Sequence, residues 1–206
     1  MEPTIIQNPL ADNCLRILRD KRTPPGIFRA VGRRLSLLLA AESGKLLRTR
    51  SEEVETPLES ASCRKLAQGI VLVPILRAGL GMVEAFLELF PDAEIGHVGL
   101  ERNEETAEAG SYYCKLPELG GKQVFLLDPM LATGGSLVMA TDVVKGRGGE
   151  QLAAVAIIAA PEGVEKMRMA HADVPLILGA LDRELDERKF IRPGLGDYGD
   201  RLMGTN

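Results

Sequence analysis

Asp128, Thr133 and Ser136 flank a pair of glycines in the stretch Leu126 to Ser136, LLDPMLATGGS, and this spacing could serve a sugar phosphate. A carboxylate only accepts hydrogen bonds, so Asp128 suits the hydroxyls of a ribose. The Thr133 and Ser136 hydroxyls can donate to phosphate oxygens, and Gly134 and Gly135 let the backbone come close to them. Two elements must hold these groups. Val124 to Leu127 is an apolar run that reads as a buried parallel strand, and Asp128 stands where it leaves the sheet. After a turn through Pro129, Met130, Leu131 and Ala132, the residues Leu137, Val138, Ala140, Thr141 and Val144 have helical spacing, so a helix opens near Gly135. Its free N–H groups and the positive end of its dipole would face the same anion. The motif therefore reads as a ribose 5-phosphate cradle, against the plainer alternative of a strand-to-helix turn that merely needs glycine. No Lys follows the glycines, which argues against a P-loop.

Two more strand ends carry polar groups. Ile70 to Pro74 reads as a strand and runs into Ile75-Leu76-Arg77-Ala78-Gly79, a tight loop presenting a guanidinium whose fork can bond two diphosphate oxygens at once. Ile95 to Leu100 reads as another strand, followed by a polar segment from Glu101 to about Ser111 that we read as a lid with Arg102 at its hinge, rather than a hairpin packed elsewhere. The stretch Phe190 to Asp200 has too many Gly and Pro residues for a regular element. Its G-x-G-x-x-G at Gly194, Gly196 and Gly199 lacks an incoming strand and a following crossover helix, so it does not make a dinucleotide site. A rigid loop of exposed amides and carbonyls could instead read a small base.

Around these stretches the chain alternates. Leu80 to Phe90 and Pro161 to Ala170 are expected helices, and Leu152 to Ala159 and Leu176 to Leu181 expected strands. Such alternation implies an α/β fold with a central, mainly parallel sheet flanked by helices and with ligands beyond the carboxyl ends of the strands. Residues 12 to 43 read as two helices broken at Thr23-Pro24-Pro25-Gly26, the second with Phe28, Val31, Leu35, Leu38 and Leu39 on one face. The basic cluster Arg16, Arg19, Lys21 and Arg22 reads as a solvated face. Residues 46 to 59, with Val54, Thr56 and Leu58 in alternation, suggest an edge hairpin or arm.

The 206 residues, 45% of them hydrophobic, suffice for one core, and the absence of a linker or repeat makes 1–206 a single expected domain. A net charge of −4 does not suggest a nucleic-acid surface. Cys14, Cys63 and Cys114 are isolated and have only His97 and His171 to join them, so neither a disulfide framework nor a zinc site is expected. No stretch has the pattern of a leader or the length of a membrane span, which points to a cytoplasmic protein with no membrane partner.

Taken together, VPILRAGLGMVE from Val73, RNEET from Arg102, LLDPMLATGGS from Leu126, AAPEG from Ala159, PGLGD from Pro193 and LRDKRTPPGIFR from Leu18 resemble the uracil phosphoribosyltransferases over nearly the full length. The resemblance implies a type I phosphoribosyltransferase fold, with a lid or hood and an N-terminal helical and arm region. It implies transfer of 5-phosphoribosyl from 5-phosphoribosyl 1-diphosphate (PRPP) to uracil, with Mg²⁺ held mainly by substrate and water and no direct protein ligand. It places Asp128 to Ser136 on the ribose and 5-phosphate, Arg77 and Arg102 on the diphosphate, and Ile191, Gly196, Asp197 and Tyr198 on uracil, with Asp197 also facing PRPP. No residue is assigned as a general base, because the base loop offers Asp197 but no His or Lys. The resemblance further implies a homo-oligomer, dimer or tetramer, with GTP as a possible effector. A PRPP-sensing regulator on the same fold and an enzyme for another base are the alternatives. The chain departs from the family beside the base loop: Arg192 stands where an aliphatic residue is common, Tyr198 where Ala is usual, and Asp186 to Lys189 lacks the usual His-Gly.

Overall fold

A strand covered on both faces needs apolar residues at every position, because consecutive side chains point to opposite sides. That condition selects the centre of this molecule. The structure, a computed structural model, describes the backbone of residues 2–102 and 109–205, and the side chains among these except those of residues 100–112. In chain order its elements are β1 (Thr4–Ile5), α1 (Pro9–Arg19), α2 (Pro25–Ser43), β2 (Thr49–Glu55), β3 (Ser60–Leu66), β4 (Ile70–Leu76) and α3 (Leu80–Leu89). Then come β5 (Glu94–Ile95), β6 (His97–Arg102), β7 (Ala109–Lys115), β8 (Gln123–Leu127), β9 (Met130–Leu131), α4 (Gly135–Gly146), β10 (Gln151–Ala159) and α5 (Pro161–Ala170). The chain closes with β11 (Leu176–Leu181), β12 (Glu184–Leu185), β13 (Ile191–Arg192) and α6 (Tyr198–Met203).

The main sheet runs β1-β11-β10-β8-β4-β6-β7, with β5 beside β4 and β9 beside β10. Its described pairs are parallel except β6 with β7. Ile70, Leu72, Phe125, Leu127 and Val155 face a layer covered by α1, α2 and α3, whereas Val71, Val73, Val124, Leu126 and Ala154 face one covered by α4 and α5. Each large side chain so buried contributes about 1.5–3 kcal/mol. The α/β architecture with helices on both faces is as the sequence predicts.

The helix boundaries follow from local chemistry. α1 begins earlier than expected because the Asn8 side chain accepts from Leu10 N at 2.9 Å and Pro9 fits the first turn. The break before α2 is closed by Asp20, which accepts from Arg22 N at 2.9 Å, and by Thr23 Oγ1, which donates to Ile17 O at 2.7 Å. Phe28, Val31, Leu35 and Leu39 are buried on one face of α2, and Leu38 packs partly against them. The expected strand Ile95 to Leu100 is divided into β5 and β6 at Gly96, where a side chain would press on Leu116.

The hairpin β2–β3 is the arm expected at 46 to 59, carried on to Leu66; it stands apart from the main sheet, and neither strand buries a face. One region differs from expectation. The tail is more regular than its glycines suggest. Side chains replace missing ladder bonds there: Asp186 Oδ1 accepts from Arg188 N and Phe190 N at 2.9 Å each, and Asp197 caps α6 through Asp200 N at 3.0 Å. β12 and β13 then pair antiparallel.

Candidate active site

β8 delivers Asp128 to the carboxyl edge of the sheet. Its N–H donates to Val155 O at 3.1 Å, and its carboxylate accepts from Met130 N at 3.3 Å. The carboxyl is half-buried, and loss of solvent pushes its pKa up to about 6, against a small downward pull from Met130 N–H. The chain rejoins the sheet through β9 and turns at Gly134, whose φ of 78° and close neighbour Gly163 O exclude any side chain. α4 starts there. Asp128, Met130, Leu131, Ala132, Thr133, Gly134, Gly135, Ser136 and Leu137 line a cavity of about 100 Å³, so the predicted cradle closes around a real space. Pro129 is an exception among the predicted residues: it does not line the cavity, and its carbonyl accepts from Ile157 N and Ile158 N at 3.1 Å, fastening the turn to β10.

A second cavity, of about 240 Å³, adjoins the first. Ile191, Gly196, Asp197 and Tyr198 line it from the tail, Ala78 from the loop after β4, and Met130 and Ala132 from the rim of the cradle. The two spaces thus share Met130 and Ala132. Arg77 projects exposed from the loop beside them, with no partner for its guanidinium among the described residues. That loop is pressed onto the end of β8, since a side chain at Gly79 would collide with Leu127 O. Arg102 ends β6, the neighbour of β4, but its side chain lies outside the described residues, as does the lid expected after it at 103–108. What is described there is an antiparallel β6–β7 hairpin at the sheet edge.

Three strand ends, a glycine-bound cradle and an adjoining cavity therefore lie side by side, and comparison with known proteins gives them a family. The family model for uracil phosphoribosyltransferase matches residues 5–205. The chain belongs to the uracil phosphoribosyltransferase family. It is 49% identical over 203 residues to the uracil phosphoribosyltransferase of Symbiobacterium thermophilum, covering 98% of this chain and 97% of that protein. It is 45% identical to that of Salinibacter ruber over the same shares. Among solved structures, the AQ2163 protein from Aquifex aeolicus superposes with a TM-score of 0.91 at 38% identity, over 98% of this chain and 97% of that one. A purine phosphoribosyltransferase from Pyrococcus horikoshii, at 12% identity and a TM-score of 0.52 over 89% and 90% of the chains, shares the fold alone.

Within this family the departures beside the base loop become interpretable. The Tyr198 ring is fully buried against Phe28, with centroids 5.2 Å apart, and its hydroxyl sits over Gly32, so its side chain is packed into the core. Burial also raises its phenol well above the usual range. Arg192 is exposed and pairs with Asp186 at 2.6 Å, on the outside of the tail. Lys189, just before the loop, adopts a φ of 66° and lines the cavity as well.

Sequence reading missed one cation altogether. Lys166 Nζ lies 3.6 Å from where a Cβ would stand on Gly135, and Thr133 Oγ1 lies 3.8 Å from the same point. The ammonium therefore overhangs the cradle that has no lysine of its own. It has no hydrogen-bond or ion-pair partner among the described residues, and Glu165 beside it is engaged by Arg168 at 2.6 Å. The only sequence signal is the spacing of Gly163 and Lys166, one helical turn apart on α5.

Proposed function

We propose that this protein transfers the 5-phosphoribosyl group of PRPP to uracil, giving UMP and diphosphate in pyrimidine salvage. The observation that carries the reading is the meeting of two cavities at Met130 and Ala132, one floored by a helix N-terminus and glycines, the other walled by the backbone of the PGLGD loop. A nucleotide spans such a pair with its phosphate in the first and its base in the second. Thr133 to Ser136 and Lys166 bind the 5-phosphate, Asp128 holds the ribose hydroxyls, and Ile191 and Gly196 to Tyr198 hold uracil. Arg77 and Arg102 bind the diphosphate, and Asp197 faces PRPP from the base side.

Departure of diphosphate leaves positive charge on the ribose ring and negative charge on the leaving group. Arg77 stabilises the latter by fork-shaped hydrogen bonding, and the base loop keeps the uracil nitrogen in line with the breaking bond. No general base is assigned. Mg²⁺ bound with PRPP would neutralise charge on the diphosphate, with no direct protein ligand assigned. A hydroxyl-rich, cation-bearing ligand fits Asp128, whose carboxylate has no ion-pair partner among the described residues and whose pKa burial raises. The reading extends to the cytoplasm, to GTP as effector and to a homodimer or tetramer. The exposed β2–β3 arm supports the last, because a free two-stranded hairpin is marginal in water unless something packs on it.

The test mixes purified protein with Mg²⁺, PRPP and labelled uracil, hypoxanthine or guanine. UMP forms from uracil alone, and absence of UMP ends the proposal. Arg77→Ala lowers kcat by roughly 10²–10³, the size of loss seen when a transition-state donor is removed. Light scattering with and without GTP reports assembly and its effector.

A further inference from the structure

The base loop is tied to the first helix by one ion pair. Arg19 is the last residue of α1, and Asp182 directly follows β11. The guanidinium meets the carboxylate at 2.8 and 2.5 Å, and the Asp182 side chain is only 4% exposed. Arg19 therefore does not belong to the solvated basic face that the sequence suggests.

Both partners also grip Gly194. Asp182 Oδ2 accepts from Gly194 N at 2.9 Å, while Arg19 Nη1 donates to Gly194 O at 2.8 Å across 175 residues of sequence. Gly194 has a φ of 65°, and a side chain on it would collide with Ile191 O, so this glycine is the tight point of the turn. On either side of it stand Ile191 and Gly196, both lining the base cavity. With its N–H and C=O both fixed, Gly194 has little freedom to rotate, and the cavity walls inherit its orientation.

Anchoring alone does not explain the pair. Arg201 already fastens the following segment, donating to Leu195 O at 2.6 Å, to Asp20 O at 2.7 Å and to Leu18 O, while Tyr198 packs on Phe28. A buried ion pair is also a poor device for stability, since apolar residues of similar volume serve as well or better. What charge and fork geometry supply that a hydrocarbon cannot is a fixed direction for one peptide.

We propose that Arg19 and Asp182 are positioning residues for base recognition: by clamping Gly194 they aim the backbone of Ile191 and of Gly196 to Tyr198 at uracil. This rests on reading the cavity as the base site. The test uses Asp182→Asn, which keeps an acceptor for Gly194 N but removes the charge, and Arg19→Lys, which keeps the charge but loses the fork. KM is measured for uracil and for PRPP separately, with amide exchange across residues 191–198 and across 128–136.

In Asp182→Asn the KM for uracil rises about tenfold or more, as a misaimed recognition group requires, while the KM for PRPP stays within about twofold. Exchange quickens in 191–198 and not in 128–136. Arg19→Lys shows the same pattern, more weakly. Parallel rises in both KM values, or an unchanged KM for uracil, overturn the proposal. Should either variant fail to fold, the other decides. A wild type that makes no UMP overturns the base-site reading itself, and is told apart because failure of the clamp is defined only against an active wild type.

Discussion

The glycine cradle and the tail loop line two adjoining cavities, and they are built in contrasting ways. The cradle consists of consecutive residues from Asp128 to Ser136, except for Lys166, and its shape comes from a strand end, a left-handed glycine and a helix start. The base loop has two short strands and one short helix, and it is shaped by contacts with distant parts of the chain: Arg19 on Asp182, Arg201 on Leu18 O, Phe28 under Tyr198. A local site is fixed as soon as its strand and helix form. A site clamped at long range is fixed only when the first and last parts of the chain have docked, so its precision is coupled to the packing of α1 and α2.

The sharpest way to break this contrast is at Asp128. Asp128→Asn lowers kcat/KM by roughly 10²–10³ through loss of the carboxylate charge and of one of its two acceptor oxygens, yet it leaves the fold more stable. The sign follows from the raised pKa. The folded carboxyl holds its proton up to about 6, above its ordinary 3.8, so the wild type loses stability as pH rises through that interval. The variant has no such loss. Its melting temperature therefore exceeds that of the wild type above pH 6, and the difference fades below pH 4. Because the residue keeps some exposure, solvent reduces the gain to about 1–2 kcal/mol. A variant less stable at pH 8 than the wild type refutes the account of Asp128.

Lys166→Met asks whether the cradle is wholly local. If the ammonium holds the 5-phosphate, KM for PRPP rises about fivefold to tenfold at low salt and less at high salt, while KM for uracil is unchanged. An unaltered KM for PRPP returns the cradle to its consecutive residues alone.

The smallest effect is on the other side. Tyr198→Phe removes a buried hydroxyl that has no hydrogen-bond partner among the described residues. Thermal and urea melts are expected to show a gain of about 1 kcal/mol, with both KM values unchanged because the hydroxyl is packed over Gly32 beside Phe28. A loss of stability would mean that the hydroxyl is partnered.

Legibility in the sequence followed the same division. The runs Ile70 to Pro74, Val124 to Leu127 and Leu152 to Ala159 marked the central strands, because burial on both faces demands unbroken apolar residues. The cradle could be read because its groups are neighbours. The tail could not be read in the same way, since Asp186 and Asp197 hold it by side-chain bonds where strand and helix signals are weak. Tyr198 looked like a change in the base site only until the ring was seen against Phe28.

The amino-acid order by itself determined the alternation of strands and helices, the acid at the end of β8 and the glycine turn that opens α4. Those rest on periods of two and of 3.6 residues, which are local properties of a chain. Only the tertiary structure decided that Arg19 is an internal clamp, that Lys166 overhangs the cradle and that Tyr198 turns inward. Each of these depends on which surfaces dock across the fold, and no spacing along the chain encodes a contact between residues 163 positions apart.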